Sequence, residues 1–258
     1  MRGKMGRTGK EGIGHRVIGV IPARYGSSRF PGKPLAPILG KPMIQWVYER
    51  ASRSKRLERL VVATDDDRIA AAVSGFGGEV VMTGKACASG MDRCAEVASS
   101  VPCGIVVDIQ GDEPLLMPEL LDRLVASLDD APWASIATPY RRCESVEEYR
   151  DPDRVKVVLG IDERILYFSR SPIPHGLMEP AEGAFIHVGI YAFRQEALMA
   201  LRREPRGELE MAESLEQLRV LEAGMAIRGL RCEGTFVGVD RPGDIGLVEE
   251  VLRRERRG

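Results

Sequence analysis

The run Val17-Ile18-Gly19-Val20-Ile21 is apolar throughout, and from Pro22 to Pro34 small residues and cations take over. A short, continuously apolar stretch bounded by turn residues reads as a strand covered on both faces, the kind found in parallel sheets. The segment behind it carries Arg24, Arg29 and Lys33 among Gly26, Ser27 and Ser28. Small residues let backbone N–H groups approach an anion, and guanidinium groups grip phosphate oxygens in a bidentate fork. Strand and loop together read as a polyphosphate cradle at the end of the first strand. The loop is not a P-loop of the kinase type. Five residues rather than four separate Gly26 from Gly32, and Pro34 stands where a magnesium-binding hydroxyl would be needed.

Strand and helix signals then alternate. Pro42 opens a helix over residues 43–48, with proline at a helix start. Residues 60–64, 79–82 and 104–109 read as strands, Asp65 to Asp67 as a cap for the helix after the first of these, and residues 92–98 as a helix before the last. This order predicts an α/β fold, a mainly parallel sheet flanked by helices. After Tyr140 the rhythm changes: residues 155–159 and 165–168 suit a hairpin, and 187–193 a further strand. The expected organisation is a basic, disordered leader over 1–16, then one domain over 17–258. Within it, 17–140 is the mainly nucleotide-binding part, 141–225 a smaller β-rich lobe for substrate binding and dimerisation, and 226–258 a return to the core. His15 in the leader and His175 in a Pro/Gly loop receive no role.

The 258-residue chain is long enough for a sizeable core, and its formal net charge of −1 argues against nucleic acid or a membrane surface as partner. Cys87, Cys94, Cys103, Cys143 and Cys232 are odd in number, with no C-x-x-C pair, so a disulfide framework and a zinc site are both disfavoured and a reducing cytoplasm is expected. No run of 18 apolar residues exists to span a bilayer.

A second chemical site is Gln110-Gly111-Asp112-Glu113-Pro114, at the end of the strand over 104–109. Ligands of open α/β sheets bind beyond the strand ends, where Asp112 offers a hard oxygen for a phosphate-held magnesium ion. Asp240, in Val237-Gly238-Val239-Asp240-Arg241-Pro242, leaves another β-rich run and enters a helix. Taken alone it reads more readily as a helix N-cap than as a metal ligand.

These segments together resemble the 3-deoxy-manno-octulosonate (Kdo) cytidylyltransferases, from about Val17 to Leu252. The resemblance rests on residues 21–34, Ser89-Gly90-Met91-Asp92-Arg93, residues 110–114, residues 167–174 around Ser169-Arg170-Ser171, residues 187–191, residues 213–219 and Gly238-Val239-Asp240. The motifs over 21–34 and 110–114 are shared with other nucleotidyltransferases; those over 167–174 and 213–219 point more narrowly to the Kdo enzymes. The resemblance implies the reaction of CTP with Kdo to give CMP-Kdo and pyrophosphate, with Mg²⁺ as cofactor, and a homodimer. It implies Arg24, Lys33 and Asp112 as catalytic residues, and Ser27, Arg29, Ser89, Arg93 and Gln110 as further nucleotide contacts. Asp112 and Asp240 would hold the metal. Arg170 would meet the sugar carboxylate, and His187, Tyr191, Glu213 and Gln217 its hydroxyls.

Helical spacing puts Glu210, Glu213 and Gln217 within an arc of about 60° on one face of a continuous helix, opposite Met211, Ala212, Leu215 and Leu218. A solvated polar face would give the same pattern. Met91 departs from the family, which usually has Thr there, so a thioether replaces a hydroxyl; base selectivity is weakened if that hydroxyl orients the nucleotide, and little follows if it only caps a helix. The alternatives are a cytidylyltransferase for another acid sugar or a phosphonate, a uridylyl- or thymidylyl-transferring sugar-phosphate enzyme, and an inactive nucleotide-binding regulator.

Overall fold

The computed structural model describes residues 16–26, 29–87, 89–177, 183–234 and 236–256. The expected leader therefore lies outside the described residues except for Arg16, as do Ser27 and His15. The first half alternates β1 (Val17–Pro22), β2 (Pro37–Ile38), β3 (Lys41–Pro42), α1 (Met43–Ala51), β4 (Arg59–Thr64), α2 (Asp67–Gly75), β5 (Val80–Met82), α3 (Gly90–Ser100), β6 (Ile105–Ile109) and α4 (Pro118–Asp129). The second half runs β7 (Ile136–Arg142), α5 (Val146–Arg150), β8 (Lys156–Leu159), β9 (Ile165–Ser169), β10 (Phe185–His187), β11 (Ile190–Arg194), α6 (Gln195–Leu201), α7 (Glu208–Glu213), α8 (Leu218–Glu222), β12 (Ile227–Arg231) and α9 (Asp244–Glu255).

One mixed sheet runs in the order β5-β4-β1-β6-β11-β7-β10-β8-β9, with β12 also on β7. Strands β5, β4, β1 and β6 are all parallel, so their carboxyl ends share one edge. The chain leaves β1 to one side through β4 and β5, then returns to its other side with β6. That reversal opens a crevice between the loops after β1 and β6, as strand order requires. One apolar core lies under α1, α2 and α4, built from residues such as Ile21, Val62, Val107, Ile109 and Leu121. The opposite sheet face packs Val20, Val106 and Phe193 against α3, α6 and α8.

Two expected elements differ. The strand expected over 187–193 is divided: β10 pairs with β7 and β8, whereas β11 pairs with β6 and β7. Between them the Ile190 N–H donates to the Val188 carbonyl at 2.7 Å, a tight turn about Gly189. The division forks the sheet, carrying one branch into the parallel core and the other into the β8–β9 hairpin. An uninterrupted apolar run cannot disclose this, because both branches are buried.

The continuous helix expected over 210–217 also breaks. Ser214 ends α7 in the left-handed region at φ 54°, and α8 starts only at Leu218. Glu210 is buried rather than part of a solvated face, while Met211 is exposed. The buried Arg219 guanidinium donates to Glu210 from Nε at 2.7 Å and Nη2 at 2.9 Å. Satisfying that buried cation outweighs the regular helix.

Residues 237–239, read as the end of a β-rich run, join no ladder among the described residues. They are held by a small third core of Ile38, Met43, Trp46, Leu115, Val239, Val248 and Leu252, which clamps α9 to α1 and the β2–β3 hairpin. This clamp carries Asp240 back to the parallel edge.

Candidate active site

The loops after β1 and β6 approach so closely that a Cβ on Gly111 would stand 3.0 Å from the Pro22 carbonyl oxygen. A side chain there would have to push the Pro22 carbonyl aside, so the contact favours glycine. Gly32 adopts φ 73° ahead of the short 3-10 turn Lys33–Leu35, which turns Lys33 inward. The Lys33 ammonium donates to Asp112 Oδ2 at 2.6 Å and lies 3.5 Å from Asp240 Oδ1. The Val239 N–H donates to the Asp112 carbonyl at 2.9 Å, so loops from opposite ends of the sequence are pinned side by side. The Asp244 carboxylate accepts from the Asp240 and Arg241 N–H groups, both at 2.8 Å, and takes the capping role that Asp240 was open to on sequence grounds. Asp240 instead faces Arg29 Nη2 at 3.2 Å.

Three cavities meet here. The first, of about 200 Å³, is lined by Arg24, Arg29, Lys33, Ser89, Arg93, Gln110, Asp112, Glu216 and Asp240 among others. A second is walled by Asp112, Glu113, Arg154, His187 and Asp240, and a third by Asp108, Gln110, Asp112, His187, Tyr191, Glu216 and Gln217. Asp112 lines all three. Ser89 caps α3 by accepting from the Asp92 N–H at 3.1 Å. Arg93 is buried between Thr83, 2.5 Å away, and Asp65, 3.0 Å away, which fix it in the cavity wall.

At the fork, the His187 ring stands edge-on to Phe168 at 5.0 Å and tilted against Tyr191 at 5.3 Å. Desolvation there pushes its pKa down to about 3, so the ring is neutral near pH 7. The Thr138 hydroxyl donates to the Ile190 carbonyl at 2.7 Å and is therefore left to accept from His187 Nε2, 2.9 Å away. This assigns the proton to Nε2 and leaves Nδ1 as a bare acceptor.

Arg170 and Glu213 line none of these cavities. The Arg170 guanidinium donates to the carbonyls of Glu213 at 2.8 Å, Pro152 at 2.9 Å and Ser214 at 3.4 Å. Glu213 in turn accepts from the Ser169 hydroxyl at 2.5 Å and the Arg170 N–H at 2.8 Å. The left-handed turn at Ser214 aims these carbonyls at the guanidinium. Both residues fasten the end of β9 to α7 and to loop 151–154.

The family model for cytidylyltransferases matches residues 18–227. The 3-deoxy-manno-octulosonate cytidylyltransferase of Syntrophotalea carbinolica is 48% identical over 92% of this chain and 98% of its own length. That of Syntrophobacter fumaroxidans is 49% identical over 94% and 99%, respectively. The chain belongs to the 3-deoxy-manno-octulosonate cytidylyltransferase family. A solved CMP:2-keto-3-deoxy-manno-octonic acid synthetase complexed with CTP matches with a TM-score of 0.87 and 43% identity, covering 93% of this chain and 99% of that one. A 4-diphosphocytidyl-2C-methyl-D-erythritol synthase from Anaerococcus prevotii, 14% identical with a TM-score of 0.61, shares the fold.

Within this cytidylyltransferase fold the structure adds two acids that sequence reasoning passed over. Glu216 reaches the start of α3, where its carboxylate accepts from the Met91 N–H at 3.2 Å. Burial raises its pKa although the α3 amides and Ser89 oppose the shift. Asp108, buried inside β6, accepts from the Gln110 amide at 3.0 Å. Desolvation, followed by the charge of Glu216, raises its pKa well above the carboxylate range. Glu216 has helix N–H donors that favour its charged form, and Asp108 has none of these. One signal was available in the sequence: an Asp within an otherwise apolar strand has no solvated face to occupy. The Met91 side chain is buried in the core beneath α3, and among the three cavities it lines the third rather than the first.

Proposed function

We propose that this chain activates Kdo, transferring the cytidylyl group of CTP to the sugar's anomeric oxygen with release of pyrophosphate. The single observation that carries the reading is the meeting of a cationic cavity and a polar, hydroxyl-matching cavity at one carboxylate, Asp112. In this reading Arg24, Arg29 and Lys33 receive the triphosphate, and the cavity floor by Ser89 and Arg93 receives the cytidine. Gln110, His187 Nδ1, Tyr191, Glu216 and Gln217 orient the sugar hydroxyls in the adjoining space. The anomeric oxygen attacks the α-phosphorus, and the bond from that phosphorus to the bridging oxygen of the leaving pyrophosphate breaks. Positioning and charge neutralisation supply most of what such a transfer needs. Lys33 and Arg24 offset the negative charge that gathers on the transferred group and the pyrophosphate.

Asp112 and Asp240 fit a magnesium ion. Among the described residues no group of three or more His, Cys, Asp or Glu side chains could hold a metal, but magnesium draws most of its ligands from phosphate and water and needs only one or two carboxylates. Two carboxylates facing a polyphosphate cavity would repel the substrate unless a divalent cation lay between them. When bound, magnesium would supply Lewis acidity at the phosphates and lower the pKa of the attacking hydroxyl.

The proposal extends to a homodimer. Strand β9 is an edge of the sheet with Leu166 exposed, and Ile161 is fully exposed at the β8–β9 turn. An isologous partner would cover such an edge. Light scattering at micromolar concentration should give about twice the 28.4 kDa chain mass, and a fully active monomer would refute the assembly. The cytoplasm is the compartment proposed, in keeping with five free cysteines among the described residues. No described helix is long and apolar enough to cross a membrane.

The deciding experiment is a substrate panel. Each nucleoside triphosphate is incubated with magnesium and Kdo, amino-Kdo or sialic acid, and pyrophosphate release is measured. CTP with Kdo should be the fastest pair. Faster turnover of another acid, or of UTP or dTTP, would displace this reading, as would no turnover at all.

A further inference from the structure

Strand β6 is apolar on both faces except at one residue. Val107 and Ile109 turn into the core under α1 and α4, while Val106 and Asp108 turn to the opposite face, toward α3. Within the sheet Asp108 stands between Val20 of β1 and Tyr191 of β11, and it is only 2% exposed. The wholly buried Cys94 thiol of α3 lies next to its carboxyl. Desolvation comes first in raising the Asp108 pKa, and the carboxylates of Glu216 and Asp112 add to it. Among the described residues Asp108 makes no ion pair. A carboxyl in that setting costs a desolvation that a valine would not.

What Asp108 does make is a hydrogen bond to the next residue but one. Gln110 Nε2 donates to Asp108 Oδ1 at 3.0 Å. Two residues on, the extended chain brings Gln110 out of the sheet on the same side as Asp108. The glutamine has little room to turn away. A Cβ on Gly90 would stand 3.4 Å from its Nε2, and one on Gly189 would stand 3.7 Å from its Cγ. The start of α3 and the turn between β10 and β11 therefore close on the side chain from two sides.

A glutamine amide is nearly symmetric in shape, so an unheld one presents either its oxygen or its NH2 to a ligand. A carboxyl oxygen accepts from the nitrogen, and one such oxygen remains an acceptor in either protonation state. The pairing thus commits Nε2 to the wall and leaves Oε1 as the acceptor for a ligand; it meets no donor among the described residues. Gln110 lines both the nucleotide space and the space proposed for the sugar, whereas Asp108 lines only the latter of these two.

We propose that Asp108 is a positioning residue, which fixes the Gln110 amide so that Oε1 accepts from a hydroxyl of the acid sugar. The inference rests on the proposed function and specifies one of its sugar contacts. Selectivity comes with it, because a substrate offering an acceptor at that place would leave Oε1 unpaired.

The test is a double-mutant cycle of Asp108→Ala and Gln110→Ala, assayed with CTP, Kdo and magnesium. Each single variant should raise KM for Kdo about 3- to 12-fold, the range of one net hydrogen bond, with kcat and KM for CTP within about twofold. The double variant should be no more than about twofold worse than Gln110→Ala, because Asp108 acts only through that amide. Asp108→Asn keeps an acceptor oxygen and should recover most of the loss. Asp108→Val, which fills the space as Val106 does on the same face, should recover none of it. Melting temperature accompanies each variant; Asp108→Val should melt at or above wild type, since a buried carboxyl is removed, which separates its kinetic loss from a loss of fold. If Asp108→Ala keeps its full effect in the Gln110→Ala background, or Asp108→Asn fails as badly as Asp108→Ala, the inference falls. It falls likewise if KM for CTP rises in place of KM for Kdo. In each of these cases the proposed function stands; if wild type turns over no acid sugar, both fall.

Discussion

Replacing Glu210 by Ala should be among the more damaging single changes in this chain, although the residue lines none of the three joined cavities. Glu210 is 1% exposed and meets the Arg219 fork at 2.7 and 2.9 Å; Arg219 is itself 4% exposed. Removing one partner of a buried pair costs about 3–5 kcal/mol, because the other charge is stranded. Arg219 Nη1 retains Asp92 at 3.5 Å, which argues for the lower end, about 3 kcal/mol. For a chain of this size that corresponds to a fall in Tm of about 6–12 °C. Arg219 lies just beyond Glu216 and Gln217, so the loss should also raise KM for the sugar, with KM for CTP less affected. Calorimetry of Glu210→Ala, Arg219→Met and the double variant Glu210→Leu/Arg219→Met separates the possibilities. Each single variant should be strongly destabilised and the double largely recovered, since an apolar replacement leaves no stranded charge. A Glu210→Ala protein that melts within 1–2 °C of wild type, well inside the expected ~6 °C, would refute the claim that this pair fastens α7 to α8.

Asp112→Ala and Asp240→Ala should each slow pyrophosphate release by about a hundredfold or more while circular dichroism stays native, as expected when charge stabilisation of the transferred group is lost; near-normal turnover of either variant would remove that residue from the metal site. His187 gives a pH signature. Its pKa is depressed in the folded chain, from 6.5 to about 3, so between those values the unfolded chain binds the proton and the native one does not. Stability is then full above about pH 6.5 and is lost as pH falls toward 3, by at most ~1.4 kcal/mol per pH unit from this group. Urea unfolding from pH 7 to 4 should show a steeper decline in wild type than in His187→Gln; parallel curves would mean that His187 is protonated in the native state.

The sequence alone determined the parallel half of this fold. Residues 17–21, 60–64 and 104–109 are apolar apart from Thr64 and Asp108 and show no alternation, a pattern that suits strands covered on both faces, and they became β1, β4 and β6 in adjacent places. It also determined the chemical character of the loops at their ends, because cations and small residues after β1 and carboxylates after β6 are local facts. What it left open were relations between distant segments. The fork at Gly189 depends on which neighbours β10 and β11 find, and one apolar run is compatible with either. The break at Ser214 depends on a buried arginine that must be met, which no helical periodicity contains. The partners of Arg170 were decided the same way, because only tertiary structure brings the carbonyls of Pro152, Glu213 and Ser214 to its guanidinium. Burial and hydrogen-bond satisfaction belong to the whole fold, so a residue type announces a chemistry but its partners decide whether that chemistry is free.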